Sequence, residues 1–211
     1  MIGKEIIDSL HWRYATKKFS DRKISHEDLQ LLKEATRLTA SSYGLQPFKV
    51  IHVKNEELRK KVSQVAWNQP QITEASDLFI FAAKTNLSSK DIEEYINLIA
   101  STRNIEKENL DGFKNMMLGF EQGMSTESKT IWSQKQAYIA LGNLLTTSAL
   151  TKIDACPMEG FDPQQVTQVL NLDKEHLLAT VICTLGYRSN EDSSASYKKV
   201  RVPEKEFFIE R

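Results

Sequence analysis

A chain of 211 residues with 40% hydrophobic and 27% charged side chains can bury one core of ordinary size, and its balance excludes a disordered or fibrous protein. Lys plus Arg and Asp plus Glu each number 28, for a formal net charge of +0, so no global field draws it to nucleic acid or an anionic membrane; any anion it binds must meet a local cluster. Two cysteines, Cys156 and Cys183, exclude a disulfide scaffold or four-cysteine zinc site, and a start that carries charge by Lys4 has no apolar signal core, which together predict a cytoplasmic protein.

In chain order, Lys4 to Trp12 has helical spacing and runs into the basic string Arg13-Tyr14-Ala15-Thr16-Lys17-Lys18-Phe19. Ser25 is an expected N-cap, with Asp28 at the third helical position and Ile24 and Leu29 as a staple, for a helix to Leu38. The segment 40–47 is turn-rich and leads into an expected strand over Phe48 to Val53. A helix is expected over Asn55 to Ala66, a break at Asn68-Gln69-Pro70, and a buried strand over Leu78 to Ala83. Ser89 to Lys129 predicts helix in pieces, with Gly112, Gly119 and Gly123 as interruptions. Ile131 to Leu150 predicts one long helix; it carries no charge after Lys135, so it belongs in a core or a dimer interface. Its uncharged part, Ala137 to Leu150, is shorter than the ~20 residues of a membrane span. Cys156 to Phe161 is expected as a loop, followed by a helix capped by Asp162 with Pro163 at its first position. Leu177 to Leu185 predicts another buried strand, and Phe207-Phe208-Ile209 an edge strand in a polar tail.

The chain has no GxGxxG, Walker A, HExxH or GxSxG motif, which removes most of the support for Rossmann dinucleotide binding, P-loop hydrolysis, zincins and serine hydrolases. Its four histidines lack partners at ligand spacing, so no metal site is expected. Arg13 and Lys17 near the start and Lys199 and Arg201 near the end either converge on one phosphate or lie on a solvated surface; their spacing does not decide. Pro157-Met158-Glu159-Gly160 either presents main-chain N–H groups to a flat ligand or makes an ordinary glycine turn. Asn68 with Gln71 either offers amides to a heterocycle's imide edge or caps a loop before Pro70. Cys156 reads as a small buried thiol.

Five of these segments, in this order, resemble the oxygen-insensitive NAD(P)H nitroreductase family of FMN enzymes, over nearly the whole chain: the Arg13–Phe19 string; Ala40-Ser41-Ser42 through Gln46-Pro47-Phe48; Asn68-Gln69-Pro70-Gln71 with Glu74-Ala75-Ser76; Pro157-Met158-Glu159-Gly160-Phe161-Asp162; and Lys199-Val200-Arg201-Val202-Pro203. The resemblance implies an α+β fold, a mostly antiparallel sheet wrapped by helices, as a single FMN-binding domain over 1–211. It also implies an intertwined homodimer with FMN at the interface, the long helix packing on its copy.

Carried over, Arg13, Lys199 and Arg201 hold the FMN phosphate, and Lys17, within the string that also supplies Tyr14 and Ala15, lies near flavin N1 and O2. Asn68 meets the pyrimidine edge, the N–H groups of Glu159 and Gly160 (beside Pro157 and Met158) face N5 and O4, and Ser41 and Ser42 come from the other subunit. Ala15 departs from a hydroxyl residue in many relatives and Gln71 from a Lys in some; the second implies a lower flavin potential. Phe120, in the segment 113–124, is the expected stacking residue at the substrate face. The implied reaction is ping-pong: NADH or NADPH reduces FMN, which then reduces nitroaromatics, quinones or related electron-poor acceptors by hydride transfer through N5. Alternatives are reduction of activated alkenes, free flavins or pteridines, or flavin binding without turnover.

Overall fold

The fold, seen in a computed structural model that describes residues 2–211, is built on four strands that pair in the order β1-β2-β4-β3, every pair antiparallel. These are β1 (Phe48–His52), β2 (Asp77–Lys84), β3 (Asp154–Met158) and β4 (Leu177–Gly186). The two central strands, β2 and β4, are almost wholly buried, as their unbroken apolar runs require. Alternation decides which core each residue joins. Leu78 and Ile80 face one side with Val62, Ile72, Val166 and Ile182, beneath the helices α3 (Glu56–Gln64), α4 (Gln71–Glu74) and α8 (Pro163–Val169). Phe79 and Phe81 face the other with Leu32, Ala137, Ala140 and Leu144, from α2 (His26–Arg37) and α7 (Thr126–Leu150). A third cluster joins Ile92, Ile96 and Ile99 to Met117, between α5 (Ser89–Arg103) and α6 (Asp111–Gln122). The fold is α+β with helices on both faces of an antiparallel sheet, as expected.

The caps expected at Ser25 and Asp162 form, and Asn55, expected as the first residue of a helix, caps α3 instead. Ser25 Oγ accepts from the Asp28 N–H at 3.0 Å, Asn55 Oδ1 from Leu58 at 2.9 Å, and Asp162 Oδ1 from Gln164 and Gln165 at 2.9 and 3.0 Å. α1 (Ile2–Trp12) ends where the basic string begins.

Four expectations are corrected. Residues 156–158, expected in a loop, belong to β3; because β3 closes one edge of the sheet, Pro157 sits where a missing N–H disrupts no inner ladder. Gly112 and Gly119 lie inside α6, and only Gly123 interrupts, as its C-terminal cap. Phe207-Phe208-Ile209 forms no strand: Glu204–Phe207 makes one helical turn, α9, and Phe208 follows as its cap. The long helix also begins earlier than Ile131, at Thr126, because Ser125 caps it and its charged first turn is satisfied by a Lys129–Glu121 ion pair.

Gly186, at the end of β4, is a glycine for want of space: a Cβ there would lie 2.8 Å from Phe19 Cδ1 and 3.1 Å from the Ser76 backbone nitrogen. Phe19 is itself buried, so Gly186→Ala should cost about 1–3 kcal/mol by overpacking, or roughly 2–10 °C in thermal unfolding. An unchanged melting temperature would refute that account.

Candidate functional site

Two buried carboxylates fix the basic string. Asp192, 6% exposed, accepts at Oδ2 from the Lys17 N–H at 2.7 Å, the Lys18 N–H at 3.2 Å and the Tyr14 hydroxyl at 3.0 Å, and at Oδ1 from the Ser194 N–H at 3.0 Å. Asp154, 3% exposed, accepts from Arg188 N and Nε at 2.9 and 2.8 Å, and the Arg188 guanidinium lies over Trp12 and Tyr14 at 4.2 and 4.5 Å from the ring centroids. Ala15 makes a single parallel bridge to Ala155, which lays the string along the free edge of β3. Burial would raise the Asp192 carboxyl, but the two N–H groups and the Tyr14 hydroxyl outweigh it and hold its pKa below the ordinary value. Burial, then the bond to Asp192, pushes the Tyr14 hydroxyl up to about 12.

Against this edge the two ends of the chain meet. Arg13, Tyr14, Ala15, Lys17, Pro157, Lys199 and Arg201 line one cavity of about 570 Å³, together with His11, Trp12, Ser194, Ala195, Tyr197 and Lys198. None of these is an acid. Lys199 Nζ donates to the Arg13 carbonyl, and Arg13 Nε is buried with no hydrogen-bond partner among the described residues. Burial lowers the Lys199 pKa, and repulsion by Arg13 and Arg201 lowers it further; Arg13 is likewise lowered, chiefly by burial. Cations held together without a counter-charge form a cradle for an anion, and the guanidinium geometry suits phosphate.

The remaining expected residues form two other groups. Asn68 and Gly160 lie on neighbouring loops: the Trp67 ring and Gln69 amide pack on Gly160, where a Cβ would meet Trp67 Cζ3 at 2.8 Å and Gln69 Nε2 at 3.1 Å. Trp67 and Asn68 both adopt left-handed backbone, with φ of 55° and 52°, a conformation that costs energy outside glycine. Gln71 is buried and its Oε1 has no partner among the described residues. Met158 is buried in the core, and Glu159 accepts from the Tyr138 hydroxyl at 2.5 Å.

Ser41, Ser42 and Phe120 occupy a separate region. The Ser42 N–H donates to Gln136 Oε1 at 2.8 Å, and Ser41 Oγ accepts from the Gln46 N–H at 2.9 Å. Phe120 packs edge-on between Tyr43 and Trp132, each 5.3 Å away by centroid. None of the three lines the basic cavity. Cys156 is buried, and burial raises its thiol pKa.

Asp154, Asp192, Gln69 and Tyr138 have no role in the sequence reading, where Gln69 stands only as part of a break and of a family-like segment. Asp154 has a usable signal, an acid abutting an apolar run; the others depend on partners distant in sequence.

An antiparallel sheet between two helical layers, with an acid-free cationic cavity at one edge, defines an α+β protein built to receive an anionic ligand. The sequence model of the Nitroreductase family matches residues 10–187, and the chain belongs to that family. A Staphylococcus haemolyticus protein named "Putative NAD(P)H nitroreductase" is 35% identical over 208 residues, covering 94% of this chain and 93% of its own. A Bacillus subtilis crystal structure described as a "putative nitroreductase" superposes with a TM-score of 0.88 at 21% identity, covering 99% of this chain and 100% of the other. One from Exiguobacterium sibiricum, described as a "putative nitroreductase in complex with FMN", does so with a TM-score of 0.81 at 18% identity, covering 99% and 96%.

The Asp192 carboxylate gives the site a pH signature. Its folded pKa lies below its ordinary value of 3.8, so its stabilisation is complete above that value and is lost as pH falls through the lower, folded one. Asp192→Asn should therefore destabilise by about 1–3 kcal/mol at pH 7, with the deficit shrinking below about pH 4. Urea midpoints at pH 7, 5 and 3 would check this; a constant deficit would contradict it.

Proposed function

We propose that the chain is an FMN-dependent NAD(P)H oxidoreductase that reduces nitroaromatics, quinones or related electron-poor acceptors by two-electron, ping-pong hydride transfer. The observation that carries the reading is the convergence of Arg13, Lys17, Lys199 and Arg201 on one cavity with no acid in its lining. The residues fit the cofactor in kind. Arg13 Nε is a buried donor and Gln71 Oε1 a buried acceptor, both without protein partners, as a phosphate and a ring imide require. When bound, FMN supplies hydride acceptance at N5 from the nicotinamide and hydride donation to the acceptor.

In this reading Arg13, Lys199 and Arg201 bind the phosphate, and Lys17 places positive charge near N1 and O2, which favours the reduced anion. Asn68 and the N–H groups of Glu159 and Gly160 bind the ring edge. No side chain acts as a general acid or base. Ser41 and Ser42 complete the site from a second copy, which accords with their absence from the cavity lining of their own chain. The homodimer is supported by α7, whose Ile131, Tyr138 and Ile139 stay exposed, and the cluster holding Phe120 then lies over the substrate side. The whole chain works as one unit in the cytoplasm.

Purified protein should show a flavin spectrum, native or after addition of FMN, that bleaches anaerobically with NADH or NADPH and recovers stoichiometrically with a nitroaromatic or quinone. Flavin that fails to bleach would reduce the protein to a flavin binder, and no binding would overturn the reading. Arg201→Ala, on the surface, should leave the fold intact and weaken FMN roughly 10- to 100-fold, the worth of one charge-assisted hydrogen bond. An unaltered dissociation constant by fluorescence titration would remove Arg201 from the site. Gln71→Lys should raise the flavin midpoint potential in a matched redox titration by adding positive charge near N1; no rise would refute that placement.

A further inference from the structure

One side chain joins the two loops that carry Asn68 and Gly160. Gln69 Nε2 donates to the Gly160 carbonyl at 2.6 Å and to the Ala66 carbonyl at 3.2 Å. Both partners are acceptors, so only the NH2 end of the amide can face them, and both of its hydrogens are used.

The consequence runs through two peptide planes. The Phe161 N–H donates to the Glu159 carbonyl at 2.9 Å, a three-residue turn centred on Gly160. Gln69 fixes the 160–161 plane by its carbonyl; the N–H of that same plane fixes the 159–160 plane by its carbonyl. Because a trans peptide is planar, the Gly160 N–H then points opposite to the Glu159 carbonyl. Tyr138 holds the Glu159 carboxylate from α7, and the Asp162 N–H ties the turn to Val65 at 3.1 Å. The Trp67 ring covers the Gly160 Cα while remaining 72% exposed, so it contributes little burial to hold the loop by itself.

We infer that Gln69 is a positioning residue: it aims the Gly160 N–H at the flavin edge and couples that aim to the Asn68 loop. The inference rests on the FMN reading above. The Gly160 N–H is the one carried to O4, and reduction adds electron density to that oxygen, so a well-aimed N–H favours the reduced form. Loss of the aim weakens FMN and lowers its midpoint potential.

The test compares wild-type protein with Gln69→Met, which keeps length and removes both donors, and Gln69→Glu, which sets a carboxylate against two carbonyls. FMN affinity is read by fluorescence titration, the midpoint potential by anaerobic redox titration, and the fold by thermal unfolding. The expected result is about tenfold weaker FMN binding in Gln69→Met, the worth of one or two neutral hydrogen bonds, a larger loss in Gln69→Glu, and a more negative potential in both, with folding retained. Unchanged affinity and potential in variants that fold would overturn the inference. So would weaker binding at an unchanged potential, which is what a purely structural bond predicts. Variants that do not fold would also overturn it, since the bond would then serve the fold. Wild-type protein that fails to bind FMN would instead overturn the proposed function, and this inference with it.

Discussion

Everything at the edge of β3 depends on keeping two carboxylates charged where little water reaches them. Asp154 and Asp192 are buried, and a buried charge is tolerable only when its lone pairs are matched. Asp154 finds Arg188, and Asp192 finds two backbone N–H groups and the Tyr14 hydroxyl. Those partners come from the first 18 residues and the last 24, so matching the acids forces the two ends of the chain onto the same edge. The carboxylates spend their acceptor capacity on the scaffold and line no part of the cavity. Arg13, Lys17, Lys199 and Arg201 are thereby gathered without being neutralised, and their mutual repulsion is relieved when an anion arrives.

Two loops away from the basic cavity carry part of the strain in the chain. Tyr43, Gln46, Trp67 and Asn68 are among the residues that adopt positive φ, at a cost of order 1–3 kcal/mol each. Each pair is held by the fold beneath it. The Tyr43 carbonyl accepts from the Tyr95 hydroxyl, and the Gln46 side chain reaches the Arg37 carbonyl; the Asn68 N–H donates to the Ser63 carbonyl. Strain so fixed belongs to segments whose geometry matters more than their stability, and both segments are ones that the family resemblance puts at the flavin.

What could be read from the sequence was local. β2 and β4 announce themselves because both faces of a central strand are buried and the apolar run is unbroken. The caps at Ser25 and Asp162 need only the three residues that follow. β3 escaped because Asp, Ala and Pro are depleted in strands; an edge position supplies the context that makes Pro157 tolerable. Gly112 and Gly119 did not break α6, since propensity is a weak prior once Met117 and Leu110 are packed against α5. For the site, the basic pairs were visible but their convergence was not, because Asp192 lies 175 residues from Lys17. Only the ordered family resemblance brought the pairs together before the fold did.

The uncharged helix α7 shows how composition and packing answer different questions. The absence of charge after Lys135 says that the helix avoids water, and one face does so within its own chain, through Ala137, Ala140, Leu141 and Leu144. Its polar side chains do not contradict this. The hydroxyls of Thr146, Thr147 and Ser148 each donate to the carbonyl four residues back, at 3.0, 2.9 and 2.8 Å, so they are satisfied without solvent. Ile131, Tyr138 and Ile139 nevertheless remain exposed. Beside the exposed Lys135, these three side chains leave an apolar stretch of the helix uncovered within its own chain. Because Tyr138 on that face also holds Glu159, a partner seated there would bear directly on the loop that the proposed function places at the flavin.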